Sequence, residues 1–446
     1  MMGAVETGVR PPGPDLNAFA ALRAFRRDPL SLLERLAPYG DVVRIRVPRS
    51  DAYLLNHPDL VQGALVSDHR AFHKGPTIQA AKMLLGSSLL TSEEEVHHRQ
   101  RRLIQPMFHH ERIASYGDTM VRHAERSETR WTDGATVDIQ AEMSALTLAV
   151  VGETLFGTDV DEARSATVRR AMTDTLGMFD RVYSPLFRLL VRLPSPTMRR
   201  YHRLEADLNR VIAEMIAERR ATGVTGNDLL SLLLRAREDG TGMGDGQVRD
   251  EALTLFLAGH ETTAIALTWT WWLLSRNQDA ERRLHAEVDA FLGDRAPTVA
   301  DLPNLPYAQA VVSESLRLRP PVWAMGRTAV AEHRANGHTI PPGSIAVIAP
   351  WLLHHDERWW PEPLTFRPER WLGDEQERRP RYAFLPFGGG PRVCIGEPFA
   401  RLEAALIVAS IGRRWRFVAA TADEPELQAV ITLRPRGGLP MVARRR

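Results

Sequence analysis

The sequence FGGGPRVCIG, residues 387–396, carries the strongest indication of fold and function in this chain, and it leads directly into a stretch with helical periodicity. Its cysteine, Cys394, is the only one among 446 residues, which excludes intrachain disulfides and zinc sites built from several cysteines. The glycines let the backbone approach a flat group closely, because they carry no Cβ. Peptide N–H groups of a glycine-rich turn and of a helix N-terminus stabilise a thiolate. The loop therefore predicts a thiolate ligand.

Two other interpretations of Cys394 stay open at this point. A cysteine taken at random is most often a small buried apolar residue. A cysteine nucleophile in a cofactor-free hydrolase would need a histidine base and an oxyanion site within reach. No histidine lies near Cys394 along the chain, and only the tertiary structure decides whether one approaches it in space.

A second candidate site is the sequence AGHETT, residues 258–263, inside a helix predicted over about residues 250–275. A glycine within a helix costs about 1 kcal/mol relative to alanine. The Thr262 hydroxyl can bond back to the carbonyl of Ala258 and bend the helix, which would open a groove lined by a hydroxyl and a carboxylate. A tight helix contact is the alternative. A helical zinc motif is excluded, because the position four residues after the histidine is Ala264.

Glu314 and Arg317 lie three residues apart in VVSESLRLRPP, on one face of a predicted helix. Such a pair is usually a solvated surface contact of small energetic value. The neighbouring residues are mainly apolar, which indicates partial burial, and a buried arginine needs several acceptors. Arg370 follows in FRPERW, residues 366–371, and we expect the three residues to be structural.

These motifs, in this order, resemble those of the cytochrome P-450 family over nearly the whole chain. The spacing Phe-x-x-Gly-x-Arg-x-Cys-x-Gly is similar to the family's haem-binding signature, with every defining position matched. Glu261 and Thr262 resemble its acid–threonine pair for oxygen activation, which implies that they are the catalytic residues. Glu314, Arg317 and Arg370 resemble its structural triad. The resemblance implies a mainly α fold with small peripheral β-sheets, a long central helix over a haem, and a bacterial monooxygenase that uses haem b.

The resemblance also assigns haem-binding residues. Haem carries two anionic propionates, which arginine binds well through its fork of donors. His97 and Arg101 share a helical face in HHRQR, although without the resemblance this segment would be read as a solvated basic face. The implied haem-binding set is His97, Arg101, Ala258, Arg327, Phe387, Gly388, Arg392, Cys394 and Gly396, with Cys394 as the iron ligand.

The resemblance places apolar residues at positions that form the substrate pocket in the family, which predicts a hydrophobic substrate. The candidates are a terpenoid, a fatty acid, a carotenoid or a steroid. We favour a terpenoid. Core packing is the alternative for each residue. The predicted substrate contacts are Ile78, Met83, Leu84, Met178, Phe179, Leu255, Ala258, Val322, Trp323, Ala324, Met325 and Ile431.

Helical periodicity dominates residues 58–319, and strand-like runs are short. The clearest predicted elements are strands at 42–47 and 52–56 and helices at 139–156, 227–239 and 397–415. No Gly/Ser-rich or charged linker divides the chain, so we expect one domain over residues 1–446. Its β-rich lobe is expected at about 37–60, 320–371 and 425–446, and its helical lobe at about 61–319 and 396–416.

The formal net charge of +2 argues against a nucleic-acid partner, and no apolar run predicts a leader or a membrane span. We therefore expect a cytoplasmic protein, as a monomer. The chain ends soon after its last predicted strand, so no fused reductase is expected. Electrons would come from a ferredoxin or flavodoxin with its NAD(P)H-dependent reductase, and dioxygen would be the co-substrate. The residues expected to form a positive docking face are Arg99, Arg102, Arg413 and Arg414. A haem-thiolate gas or redox sensor without turnover is the alternative function, since it would not need Glu261 and Thr262.

Overall fold

The computed structural model describes residues 10–157 and 196–446, apart from positions 49, 222, 224, 225, 227, 239 and 240. Helices account for most of this part of the chain. They are α1 (Ala18–Arg27), α2 (Pro29–Leu36), α3 (Pro58–Gln62), α4 (Pro76–Leu85), α5 (Glu94–Ile104), α6 (His110–Ser115), α7 (Gly117–Glu128), α8 (Ile139–Phe156), α9 (Pro196–Ala221), α10 (Leu229–Arg235), α11 (Asp245–Arg276), α12 (Gln278–Phe291), α13 (Pro306–Leu318), α14 (Pro350–His354) and α15 (Glu397–Gly412).

The strands are short and belong to several small sheets. They are β1 (Val42–Val47), β2 (Ser50–Leu55), β3 (Phe72–Lys74), β4 (Thr136–Asp138), β5 (Arg237–Glu238), β6 (Thr241–Gly242), β7 (Met325–Ala329), β8 (His333–Ala335), β9 (His338–Ile340), β10 (Ile345–Ile348), β11 (Trp415–Ala419), β12 (Leu427–Ala429), β13 (Leu433–Pro435) and β14 (Pro440–Arg445). The predicted fold class, mainly α with small peripheral sheets, is confirmed.

The largest sheet among the described residues has five strands in the order β1-β2-β10-β7-β3. β2 and β10 are parallel, and the other pairs are antiparallel. β14 joins β11 and β4 in a separate three-stranded sheet, and β12 pairs with β13 in a hairpin. The C-terminal strands assigned to the β-rich lobe therefore do not join the main sheet, whereas β3, from the interval assigned to the helical lobe, does. The lobe boundaries stay a prediction.

Local sequence fixes the bounds of α8, which are those predicted. Asp138 precedes the helix and its carboxylate accepts from the backbone N–H groups of Gln140 and Ala141. Gly157 ends it in the left-handed region, with a φ of 62°. Both signals stand in the sequence itself, so no distant contact is needed to place this helix.

The long helix α11 runs through the centre of the helical lobe. Its 32 residues span about 48 Å, and they pack along α8 and against α9, α13 and α15. Apolar residues occupy nearly all of its faces, with Trp269 and Trp271 almost fully buried, as is typical of a helix enclosed by others. In the described ranges, every helix is too short or too polar to cross a bilayer.

Candidate active site

Residues 387–396 form a closed loop in front of α15. The N–H of Cys394 donates to the carbonyl of Phe387 at 3.0 Å, and the N–H of Val393 donates to the carbonyl of Gly390 at 3.0 Å. Gly390 has a φ of 67°, and a Cβ built there would lie 1.9 Å from the carbonyl oxygen of Leu65. Only glycine fits this position, because any side chain would collide with backbone that cannot move aside.

The thiol of Cys394 lies inside the fold and yet keeps an accessible surface. Burial raises its pKa, whereas the backbone N–H groups of Gly396 and Glu397 and the charge of Arg101 lower it. Gly396 is the N-cap of α15, so the positive end of the helix dipole faces the sulfur. The loop therefore presents an accessible sulfur together with donors that favour a thiolate.

A cluster of basic side chains surrounds the loop. Arg101 on α5 donates to the carbonyl of Val393 at 2.8 Å, which ties the helix to the loop. Arg392 pairs with Glu93, and its Nη1 is buried with no hydrogen-bond partner. Arg327 stands opposite Lys74 in the β3–β7 register. Basic side chains from α5, β3, β7 and the loop thus form one cluster.

The basic side chains of this cluster outnumber the carboxylates near them. Burial and the charge of Arg392 lower the pKa of Arg327 to about 10. Burial and the charge of Lys74 lower the pKa of His97 to about 3, so His97 is neutral at neutral pH. Burial and Arg392 also lower the pKa of Lys74, to about 7. The carboxylate of Glu93, which pairs with Arg392, offsets these effects only in part, so the cluster keeps an excess of positive charge.

The residues present therefore fit a haem. A flat macrocycle needs an axial ligand, which the accessible thiol of Cys394 can supply, and anion partners for two propionates. The unpartnered Nη1 of Arg392 and the cationic surroundings of Arg327 fit such anions. Lys74 and Glu93 were missed by sequence reasoning. A weak signal existed for the first, since Lys74 and Lys82 are the only lysines in a chain rich in arginine.

The AGHETT segment lies within α11, and the expected backbone bond is present. The hydroxyl of Thr262 donates to the carbonyl of Ala258 at 3.0 Å. A Cβ on Gly259 would lie 3.3 Å from the Cγ2 of Val151, so the glycine also lets α8 approach closely. The Thr262–Ala258 bond and the close packing at Gly259 therefore occur in the same segment, and the catalytic role of Glu261 and Thr262 stays a prediction.

The carboxyl of Glu261 is half-buried. Burial raises its pKa, while the charge of Arg434 and the hydroxyl of Thr432 act in the opposite direction. Thr432 Oγ1 donates to Glu261 Oε1 at 3.5 Å. The neighbouring His260 is buried, and its carbonyl accepts from Thr147 at 3.1 Å, which fixes α11 on α8.

Comparison with known proteins decides the family. The family model described as cytochrome P-450 matches residues 11–439. The chain belongs to the cytochrome P-450 family. It is 43% identical to a cyclooctat-9-en-7-ol 5-monooxygenase of Streptomyces melanosporofaciens, over 88% of this chain and 86% of the relative. It is 42% identical to a cyclooctatin synthase of the same species, over 96% and 94% of the two chains. It is 35% identical to a pentalenene oxygenase of Streptomyces avermitilis, over 87% of each.

The chain is thus a cytochrome P-450 monooxygenase, with a haem-iron cofactor, and it acts on a hydrophobic substrate. The cofactor-free hydrolase is excluded by family membership. The gas or redox sensor is not supported either, since the similar proteins described above are named as oxygenases or synthases.

The Glu-x-x-Arg pair of this P-450 is completely buried. Arg317 Nε donates to Glu314 Oε2 at 2.9 Å and its Nη2 donates to Glu314 Oε1 at 2.8 Å. Arg370 Nε donates to Glu314 Oε1 at 3.1 Å, and the Trp371 indole donates to the other oxygen at 3.0 Å. Remaining arginine donors reach backbone carbonyls, among them that of Thr365. One carboxylate therefore holds two arginines from two segments.

His354 extends this network to the cysteine loop. Its Nε2 accepts from the N–H of Leu385 at 3.0 Å, and its Nδ1 donates to the carbonyl of Arg317 at 3.2 Å. In the sequence, His354 and His355 are adjacent and show no metal-ligand spacing, which predicts a structural or surface role. The structure shows that the buried His354 joins Arg317 to Leu385, two residues before the loop begins, through two hydrogen bonds.

The predicted substrate contacts that the structure describes differ in burial. Leu84 and Leu255 are buried in the main core, and Met83 is 41% exposed on α4. Trp323 is buried near Phe25 of α1, and its indole donates to the carbonyl of Val430 at 3.1 Å, so we assign it to the core. Met178 and Phe179 lie outside the described residues. The half-buried candidates are Ile78, Val322, Ala324, Met325 and Ile431, with the exposed Ala258 beside Glu261 on α11.

One part of the predicted docking face is wrong. Arg413 is buried, pairs with Glu125 at 2.7 Å and donates to the carbonyl of Asp294 at 2.8 Å. Arg413 and Arg414 also follow the far end of α15, about 24 Å along the helix axis from the cysteine loop. The sequence could not show this, because the acidic partner of Arg413 comes from α7. Arg99 and Arg102 lie on α5 next to the haem-binding candidates.

Proposed function

We propose that this P-450 inserts one atom of dioxygen into a C–H or C=C bond of a terpenoid, with haem b as cofactor. The observation that carries the proposal is the pairing of an accessible thiol, in a loop with surplus positive charge, with an acid–threonine pair on the central helix. The relatives support the substrate class, since two of their names denote an unsaturated alcohol and an unsaturated hydrocarbon.

Cys394 would hold the haem iron through its thiolate, and Phe387, Gly388 and Gly396 would shape the loop that carries it. His97, Arg101, Arg327 and Arg392 would bind the propionates. When bound, the haem supplies dioxygen reduction and oxygen-atom insertion, with the thiolate favouring O–O cleavage. Gly388 has a φ of 73°, so it supports a loop conformation that other residues adopt rarely.

Thr262 and Glu261 deliver protons. The Thr262 hydroxyl donates its own proton to the carbonyl of Ala258, which leaves its oxygen lone pairs free to accept from an ordered water. Burial raises the pKa of the Glu261 carboxyl, so it holds a proton more readily than an ordinary glutamate and can pass that proton to the water. The hydroxyl therefore positions the water, and the carboxyl exchanges protons with it.

The predicted substrate contacts that are not buried in the core are apolar. Val322, Ala324 and Met325 follow α13 and lead into β7, and Ile431 lies in the turn of the β12–β13 hairpin. Such a surface favours an apolar skeleton and offers little to a charged head group. A terpenoid fits this chemistry better than a fatty acid does, because the latter carries a carboxylate.

The electrons come from a ferredoxin or flavodoxin and its NAD(P)H-dependent reductase, and the P-450 works as a cytoplasmic monomer. The basic end of α5, with Arg99 and Arg102, forms the docking face for the acidic carrier. Complementary charge of this kind accelerates encounter more than it adds affinity.

The first test is spectroscopic. The reduced protein under carbon monoxide should show the strongly red-shifted Soret band of a thiolate-ligated haem, and Cys394→Ala should lose that band. Arg413→Ala is the matched control, because it removes a buried side chain remote from the loop. A colourless parent protein, or a Cys394→Ala variant with the same band, would refute the haem–thiolate assignment.

The second test concerns turnover. With a ferredoxin, its reductase and NADPH, a terpenoid hydrocarbon or alcohol should be converted to an oxygenated product. Thr262→Ala should consume NADPH at a similar rate while diverting most electrons to peroxide, because the water that carries the proton loses its holder. Thr262→Ser, which keeps the hydroxyl, should retain most of the product. Conversion of fatty acids but not of terpenoids would overturn the substrate class.

A further inference from the structure

The turn of the β12–β13 hairpin reaches the acid of the oxygen-activation motif. Thr432 is buried in this turn, and its hydroxyl donates to Glu261 Oε1 at 3.5 Å. The two residues are separated by 171 positions in the chain. The contact therefore comes from the tertiary fold, and the local sequence of α11 gives no sign of it.

The turn is fixed to the helical lobe by its own backbone. The indole of Trp269, two helical turns beyond Glu261, donates to the carbonyl of Leu433 at 2.8 Å. The N–H of Leu433 donates to the carbonyl of Pro321 at 2.9 Å, and Trp323 holds the carbonyl of Val430. Anchors on both sides of Thr432 give its hydroxyl a defined position relative to α11, so the contact does not depend on a freely moving loop.

A positive charge stands beside this contact. Arg434 belongs to β13, and its Nε donates to the Gln428 side chain at 3.1 Å across the hairpin. This bond restrains the guanidinium on the hairpin. The charge of Arg434 opposes the effect of burial on Glu261 and so favours the ionised form of this half-buried carboxyl.

We propose that Thr432 and Arg434 are positioning residues for Glu261, and that the terminal hairpin thereby sets the orientation and the ionisation of the proton-delivering carboxyl. The inference rests on the proton role of Glu261 given above. Thr432 fixes one carboxyl oxygen by a hydrogen bond, which leaves the other oxygen to exchange protons. Arg434 stabilises the ionised form without pairing directly, so the carboxyl is not locked in a salt bridge.

The experiment compares hairpin variants of the haem-loaded enzyme. Thr432→Val removes the hydroxyl at nearly constant shape, and Thr432→Ser restores it. Arg434→Gln removes the charge but keeps a polar partner for Gln428, and Arg434→Lys keeps the charge. Arg436→Gln is the matched control, because Arg436 lies in the same hairpin and pairs instead with the exposed Glu426 at 3.2 Å.

Two readouts are measured. Infrared difference spectra follow the carboxyl band of Glu261, assigned by its disappearance in Glu261→Gln. We expect Thr432→Val to shift this band to higher wavenumber, and Arg434→Gln to move its titration to higher pH. Product formed per NADPH should fall about two- to fivefold in both variants, as for the loss of one hydrogen bond, and should recover in Thr432→Ser and Arg434→Lys.

The outcomes separate the two proposals. If Thr432→Val and Arg434→Gln show the same carboxyl band and titration as Arg436→Gln, the hairpin does not position Glu261 and the inference is wrong. If instead Glu261→Gln leaves product per NADPH unchanged, the proton role in the proposed function is wrong. The infrared band reports on the contact in either case, so one failure cannot be mistaken for the other.

Discussion

Glu314 shows how this P-450 keeps charged residues in its core. The carboxylate is fully buried between the guanidinium groups of Arg317 and Arg370, and a third donor comes from the indole of Trp371. A buried ion pair costs more to break than it gains over an apolar pair, because the remaining partner is left without compensation. The buried charges of Glu314, Arg317 and Arg370 therefore depend on one another, and removing one of them destabilises the others.

Glu314→Gln is expected to lower the free energy of unfolding by about 3–5 kcal/mol, since two buried arginines would lose their counter-charge. Chemical denaturation followed by circular dichroism measures the loss. Asp279→Asn is the control: it breaks the exposed Arg282–Asp279 pair and should change stability by about 1 kcal/mol or less. Equal losses in the two variants would show that the buried pair carries no special cost.

Glu128 gives a pH-dependent prediction that does not involve the haem. Burial raises the pKa of this carboxyl to about 7, above its ordinary value of 4.5, although Arg414 Nη1 lies 3.7 Å from Glu128 Oε2 and acts in the opposite direction. The folded state then holds a proton that the unfolded state has already lost. Raising the pH from about 4.5 to 7 must therefore reduce stability.

Glu128→Gln should remove this pH dependence. Relative to the parent, the variant should gain stability as pH rises through that window, by at most about 3 kcal/mol at pH 8, since one pKa unit corresponds to about 1.4 kcal/mol. Unfolding in urea at pH 5 and pH 8 measures the difference. If the free energies of unfolding of the parent and of Glu128→Gln differed by the same amount at both pH values, the prediction would be wrong.

At the scale of elements, the cysteine loop depends on backbone conformations that side chains prevent. Gly390→Ala would place a Cβ against the Leu65 carbonyl and would also strain a positive φ. We expect the variant to lose haem and to unfold at a markedly lower temperature. Gly337→Ala, at a φ of 76° with nothing within 4 Å, is the control for strain alone, with a cost of about 1 kcal/mol. Haem retention in Gly390→Ala equal to that of the control would show that the loop tolerates a side chain.

The bounds of helices could be predicted where the cap is local. α8 begins after Asp138 and ends before Gly157, as the sequence indicates. α11 begins five residues earlier than predicted, at Asp245, because its polar first turn gives no apolar signal and Arg220 of α9 binds Asp245 there. α15 ends at Gly412, three residues before the predicted end, since Trp415 starts β11.

For the molecule as a whole, we expect basic residues on α5, but not those that follow α15, to affect the rate of reduction by a redox partner. Reduction by an acidic ferredoxin should slow as ionic strength rises, and Arg102→Gln should weaken this dependence, because screening removes the attraction. Stopped-flow reduction under carbon monoxide measures the rate. Arg413→Gln should leave the salt dependence unchanged but destabilise the fold, since Glu125 would lose its partner. An equal effect of both variants on the salt dependence would contradict the assignment of the face to α5.

Groups whose chemistry is local can be identified from the residues alone. The glycines around Cys394, the acid and hydroxyl of Glu261 and Thr262, and the spacing of Glu314 and Arg317 each specify a conformation or a contact within a few residues. The family match over residues 11–439 agrees with these local patterns.

Which distant side chains complete each site depends on the three-dimensional fold. Burial and charge depend on neighbours that lie far away in the chain, and no periodicity encodes them. Thr432 reaches Glu261 across 171 positions, and Arg413 is withdrawn from the surface by Glu125, 288 positions away. Local sequence thus specifies the candidate groups, and long-range packing determines their partners and their charge.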